Sequence, residues 1–191
     1  MEKLPKPKTE LGMDLMQALQ LRCSVREYDS ERRIDRQTLS NILWACGGVN
    51  RPDSGRRTAP FGMNMNMVRT YVVEAAGVSV YDPETHSLKT VSTEDLRATI
   101  GPNFAAGADI TLLFTLDLAL AGGLRDNEKT RDAFAWNGLG AMNQNIALAG
   151  IAQGIGSVVV ASVNHGTVTN NKLISETETP LAIMPMGYLK E

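Results

Sequence analysis

The chain has 191 residues, 43% of them hydrophobic, 21% charged and only 5% aromatic, with nine Met. That length and apolar content suit one domain with a sizeable core and exclude overall disorder. A net charge of -2 is too small to mark nucleic acid or an anionic membrane surface as a partner. The start MEKLPKPKTE has no apolar leader core and no 18-residue apolar run follows, so the expectation is no membrane span and a cytoplasmic location, with export after removal of a leader as the alternative.

Residues 1–12 read as an extended N-terminal tail, because Pro5 and Pro7 block a helix and Gly12 ends the stretch. Residues 13–191 read as a single domain. Asp14 can cap a first helix that places Leu15, Met16 and Leu19 on one face up to Arg22. Asp35 can cap a second, with Leu39, Ile42, Leu43 and Cys46 as its buried stripe and Gly47-Gly48 as its stop. Residues 49–68 carry Asn, Pro, Gly and several Arg without a clean period and read as a long loop, a kind of segment that is often functional.

Strands are predicted at Thr70–Val73, Val78–Tyr81 and Ser87–Val91, the last two as a hairpin around Asp82-Pro83-Glu84-Thr85-His86. Ser92 or Thr93 can cap a short helix through Ile100, and Ile110–Leu116 is apolar enough for a buried strand. The longest helix is expected from about Glu128 to Gln153, followed by a strand at Ser157–Ala161, a short helix at Thr167–Ile174 and a last strand at Leu181–Met186. Helices and strands intersperse without a regular βαβ repeat, which points to an α+β fold.

Charge is spread unevenly. Residues 1–60 hold 11 Lys+Arg against 8 Asp+Glu, which leaves 8 against 13 from the chain totals of 19 and 21. Arg22, Arg26, Arg32, Arg33, Arg36, Arg51, Arg56 and Arg57 make most of the basic side, and a small anionic ligand would benefit from some of them. Cys23 and Cys46 form neither a disulfide framework nor a metal spacing. His86 and His165 lie in no metal-binding pattern and there is no G-x-S-x-G elbow, so surface histidines are the expectation and no metal is predicted. The pairs Gly138/Gly140 and Gly154/Gly156 do not make a G-x-G-x-x-G fingerprint and suit helix packing and a turn instead.

The most informative run is Arg22-Cys23-Ser24-Val25-Arg26. In extended backbone, positions 22, 24 and 26 face one side, so two guanidinium groups and a hydroxyl could grip a phosphate and a second anionic point. This run resembles the arginine-x-serine-x-basic signature near the start of nitroreductase-family proteins. Arg57-Thr58-Ala59-Pro60-Phe61-Gly62-Met63-Asn64-Met65-Asn66 is similar to that family's R-T-A-P-S-A-x-N-x-Q loop, with Phe61 for the usual Ser and Asn66 for the usual Gln. Gly140 to Ala149, containing Gln144-Asn145, is similar to the G-x-x-x-Q-N-hydrophobic stretch, and Gln153-Gly154-Ile155-Gly156-Ser157 stands in place of A-x-G-L-G-S. Order and spacing agree over residues 14–188. Two departures stand out: many relatives have an aspartate where Gly138 stands, and many continue past the final Gly-Tyr with a basic segment that contacts phosphate.

The resemblance implies a nitroreductase-like fold, with a mixed central sheet flanked by helices and the domain completed by homodimerisation. It implies bound FMN and a ping-pong passage of two electrons between NADH or NADPH and a nitroaromatic, quinone or other small unsaturated acceptor. By the same resemblance Arg22, Cys23, Ser24 and Arg26 would hold the cofactor from one chain, with Arg26 as the cation that tunes the flavin. Pro60, Phe61, Gly62 and Asn64 would come from the other chain, Gln144 and Asn145 would support the site from the long helix, and no protein acid, base or nucleophile is needed beyond the flavin. With the basic tail absent, Arg22, Arg56 or Lys190 would have to compensate. Two other readings stay open: a non-catalytic or degenerate flavin-binding protein of the same fold, and a cofactor-free dimeric interaction domain.

Overall fold

Eight consecutive buried residues, Ile110–Asp117, form a strand with cores on both of its faces. In the computed structural model, which describes residues 1–190, the chain runs β1 (Glu2–Lys3), α1 (Leu15–Leu21), α2 (Arg36–Gly47), β2 (Val49–Arg51), β3 (Arg56–Arg57), β4 (Val68–Glu74), β5 (Gly77–Asp82), β6 (Ser87–Ser92), β7 (Ile110–Asp117), α3 (Glu128–Ile151), β8 (Ile155–Ser157), α4 (His165–Asn170) and β9 (Glu178–Tyr188). Seven strands make one sheet in the order β1-β6-β5-β4-β7-β9-β8, and β2 and β3 make a separate two-stranded hairpin. The architecture is the expected α+β one. Neighbours within the large sheet pair antiparallel, and its mixed character comes from a parallel bridge between Ser24 and Ser157.

Strand alternation explains the two cores. Ile110, Leu112, Phe114 and Leu116 of β7 face the layer of α2 and α3, together with Leu39, Ile42, Leu43, Leu139, Met142 and Ile146. Leu113 faces the opposite core with Tyr71, Leu96, Ile100, Val168 and Ile183. The helices start where a side chain accepts an otherwise orphaned N–H. Asp14 takes that of Gln17, Asp35 that of Thr38 and Asn127 that of Thr130. The spacing of the buried α2 residues 39, 42, 43 and 46 is the one-face pattern of a helix.

Several expectations are corrected. Residues 93–100 form no helix; the chain makes a single turn in which Thr99 and Ile100 both donate to Leu96 O. The strand expected at 157–161 is shorter and earlier, at Ile155–Ser157, because beyond it only Val160 bridges to Ile183 while Val159 points outward. The late short helix begins at His165 and ends at Asn170, since Asn164 caps it through the N–H of Thr167. Residues 49–68 are not loop throughout but include the β2–β3 hairpin. Leu15, Met16 and Leu19 do share α1, yet they are 63%, 71% and 42% exposed, leaving Ala18 as the residue α1 buries.

His86 is the other correction. It is half-buried rather than a free surface histidine, while His165 is exposed. Its Nε2 lies 2.7 Å from Ser40 Oγ and its Nδ1 2.8 Å from Tyr81 Oη. Ser40 donates its own proton to Pro5 O, so a consistent chain has Tyr81 donating to Nδ1 and Nε2–H donating to Ser40. This network ties the first residues, where Leu4 is buried and donates to His86 O, to α2 and the β5–β6 hairpin.

Burial holds the His86 pKa below its ordinary value, a bond with the Pro5 backbone opposing it. A folded pKa below the unfolded one gives stability that is complete above the ordinary histidine range and lost as pH falls through the folded value. Denaturation between pH 7 and pH 5 is therefore expected to show stability falling with acidification, with a shallower slope for His86→Gln. Equal slopes would contradict a neutral, network-bound His86.

Candidate functional site

The Arg22–Arg26 strip lies along the β8 edge of the sheet. Val25 N donates to Ser157 O at 3.0 Å, Asp29 N to Tyr188 O at 2.9 Å, and the buried Tyr28 Oη contacts Val25 O at 2.8 Å and Pro185 O at 3.1 Å. Tyr28 thus bolts the strip to β9, and burial raises its pKa, with Arg26 opposing, so the hydroxyl keeps its proton. Gly156 permits the close approach: a Cβ there would lie 2.8 Å from Val25 and 2.7 Å from Leu189. Cys23, Ser24 and Arg26 are exposed and Arg22 is half-buried. Among the described residues, neither Arg22 nor Arg26 has an ion pair. Arg26 sits 5.9 Å from the Phe104 ring, and Lys190 reaches the same edge but pairs with Glu27 at 3.1 Å.

The second segment is held elsewhere. Phe61 and Gly62 pack on the first half of α3, against Gly138 and Phe134. A Cβ at 138 would overlap the Phe61 ring. The large residue at 61 and the missing side chain at 138 are therefore one coupled change, since the ring occupies the volume a side chain at 138 would need. Beyond Phe61 the chain is strained: Met63 and Asn64 both have left-handed backbone, φ 56° and 58°, a region that costs a non-glycine residue about 1–2 kcal/mol. Pro60, Met63 and Asn64 are exposed there, and such strain gathers at functional loops.

Strip and loop do not meet within one chain. The loop packs at Gly138 and the strip on Gly156 of β8, which follows the end of α3 at Ile151, so about 20 Å of helix at 1.5 Å per residue lies between the loop's anchor and the helix end that leads to the strip. Of the helix residues, Gln144 is exposed, whereas Asn145 donates to Ala45 O of α2 at 3.1 Å and braces the two helices. Tyr28 and Ser157, which set the strip's position, are not among the residues the sequence singles out, although the Gly-Ser pair of the third segment carried a signal for Ser157. Cys46 is fully buried, and burial pushes its thiol up to about 12, the Thr70 contact opposing, which makes it inert.

Beside the loop is an open cavity of about 260 Å³ walled by Arg51, Arg56, Arg57, Pro60, Phe61 and Asn64. Arg57 and Phe61 also border a larger hollow of about 380 Å³ that reaches Tyr81 and Met142. Among the described residues no cluster of His, Cys, Asp or Glu could hold a metal ion, and no helix is long and apolar enough to cross a membrane.

Residues 19–188 match the nitroreductase family. The chain belongs to that family. A candidate nitroreductase of Ralstonia eutropha JMP134 is 32% identical, with a TM-score of 0.91 over 100% of this chain and 90% of that one. A candidate nitroreductase from Desulfovibrio desulfuricans, solved in complex with FMN, is 21% identical with a TM-score of 0.65, covering 93% of this chain and 87% of that one. The microcin synthetase complex of Escherichia coli includes a chain 16% identical with a TM-score of 0.74, covering 98% of this chain and 79% of that one. The last two show a shared fold. No curated protein matches the chain.

The Phe61–Gly138 fit makes a prediction. Gly138→Ala should destabilise the protein by about 1–3 kcal/mol, the range for overpacking, even though Ala is the better helix former by about 1 kcal/mol. Adding Phe61→Ser should remove most of that loss in a double-mutant cycle followed by urea denaturation. Stabilisation by Gly138→Ala alone would overturn the packing account.

Proposed function

We propose that this nitroreductase-family protein is an FMN-dependent NAD(P)H oxidoreductase that works as a homodimer. The observation that carries the reading is the strip at the β8 edge, which brings Arg22, Ser24 and Arg26 together along five residues and in which neither arginine has an ion pair among the described residues. Arginines left unpaired among the described residues suit a phosphorylated, partly anionic ligand. The close approach at Gly156 seats Val25 and Leu189 directly on the sheet and so keeps the strip flat against it. The donor set therefore fits FMN.

Arg22 and Ser24 would hold the phosphate and ribityl side, with Cys23 between them contributing backbone. Arg26 would lie at the pyrimidine edge, where a fixed cation stabilises negative charge. Pro60, Phe61, Gly62 and Asn64 would be supplied by a second copy of the chain, and Gln144 would support the site from α3. The second copy is supported by the separation of strip and loop within one chain and by the apolar residues Leu15, Met16, Leu19 and Trp136, which are left exposed on α1 and α3 and would be covered on pairing. FMN, when bound, supplies two-electron hydride chemistry. NADH or NADPH would be the donor, and a nitroaromatic, quinone or other small unsaturated compound the acceptor.

Incubation with FMN should give a yellow complex that NADPH bleaches anaerobically, followed by absorbance. Arg26→Ala should weaken FMN binding or shift its potential, whereas Arg125→Ala, on an exposed turn remote in sequence from the strip, should do neither. Colourless protein with no thermal stabilisation by FMN would support the cofactor-free reading. A yellow complex that no donor reduces would support a non-catalytic flavin-binding protein.

A further inference from the structure

The eight arginines of the basic N-terminal stretch divide cleanly. Arg32 stacks on Tyr188 at 3.7 Å, Arg33 lies 3.5 Å from Asp109, and Arg36 grips Glu74 at 2.7 and 2.9 Å and Glu2 at 3.0 Å. Arg22 and Arg26 belong to the strip. The other three, Arg51, Arg56 and Arg57, sit on the β2–β3 hairpin, which reverses through Pro52–Ser54 and Gly55 and carries Asp53 as its one carboxylate. Arg51 braces the hairpin by donating to Arg57 O at 2.8 Å. Among the described residues Arg57 pairs with the exposed Glu84, at 3.2 Å, and its buried Nε has no acceptor. Arg56 is exposed and has no side-chain partner among the described residues.

Arg51, Arg56 and Arg57 all line the cavity of about 260 Å³, whose remaining wall is the Ala59, Pro60, Phe61 and Asn64 loop. Three arginines against two nearby carboxylates, Asp53 and Glu84, leave a net positive lining that suits a polyanion, and the fork of Arg matches phosphate oxygens. The shared wall connects this basin to the loop that would lie on the flavin of the other subunit. A ligand crossing Phe61 could therefore place a planar ring at the flavin and its phosphates on the hairpin.

We infer that the β2–β3 hairpin docks the phosphate groups of the nicotinamide donor and favours NADPH over NADH, because a 2′-phosphate adds close to two negative charges beside the arginine-lined cavity. This rests on the flavin reading for the donor's identity. The anion site itself does not, since its groups are present in the chain without any cofactor.

The test uses the full chain, with and without FMN, and adenosine 2′,5′-bisphosphate as the calorimetric probe. Arg56→Ala should weaken the probe and raise the NADPH KM by about tenfold or more, as expected for one lost charge-assisted hydrogen bond. The NADH KM should move less than the NADPH KM. Arg56→Lys should recover part of the loss and Arg56→Glu should deepen it. A protein that takes up FMN and is reduced by NADPH, yet binds donor and probe equally well with Arg56→Ala, overturns the inference and leaves the flavin reading intact. Probe binding that depends on Arg56 in a protein that takes up no FMN supports the anion site and defeats the flavin reading.

Discussion

The bond from Val25 N to Ser157 O, with Tyr28 bolted behind it, fixes the strip of Arg22, Ser24 and Arg26 to one end of the sheet. Phe61, seated in the notch over Gly138, fixes the loop to the other half of α3. Most of the length of α3, a continuous helix, lies between the loop's anchor and the turn that leads to the strip's anchor on β8. Residues that resemble the two halves of one flavin site therefore stand on one rigid body, facing different places. The apolar residues left exposed on α1 are consistent with a surface made for another chain, and this constraint is why the proposed site is composite.

The same constraint organises the chemistry. Strip and loop offer different groups: unpaired cations and a hydroxyl on one, a proline, an aromatic ring and an asparagine in strained backbone on the other. Neither alone encloses a planar ligand. Together they give an anionic-edge partner and an apolar face, which is the division of labour a bound redox ring requires from protein. The hairpin arginines adjoin the loop rather than the strip, so pairing of two chains would bring the proposed donor-phosphate basin of one to the flavin cradle of the other.

Much of the fold was legible because it is written in local patterns. Asp14 and Asp35 announce caps, the 39, 42, 43, 46 spacing announces a buried helix stripe, and the β4, β5 and β6 strands alternate around recognisable turns. What escaped is non-local. Leu96 and Ile100 are spaced like one helix face, but Arg97 reaches the Asp109 carbonyl at 3.1 Å and the chain turns toward β7 after one turn. Strands of two and three residues in β2–β3 are too short to show a period. His86 meets Ser40, 46 residues away, a contact no spacing reveals. Around the candidate site, sequence shows residue types but not their packing: Phe61 and Gly138 read as two unrelated departures, and the structure puts the ring where a side chain at 138 would lie.

A mixed dimer tests the central claim most directly. One chain would carry Arg22→Ala and Arg26→Ala, the other Pro60→Glu and Asn64→Ala, with different tags so that the heterodimer can be isolated. If strip and loop combine across two chains, each variant homodimer binds little FMN, while the heterodimer regains one intact site and holds one flavin per pair, read by absorbance against protein concentration. A heterodimer as colourless as its parents would contradict the account, since it would place both halves of the site in the same chain.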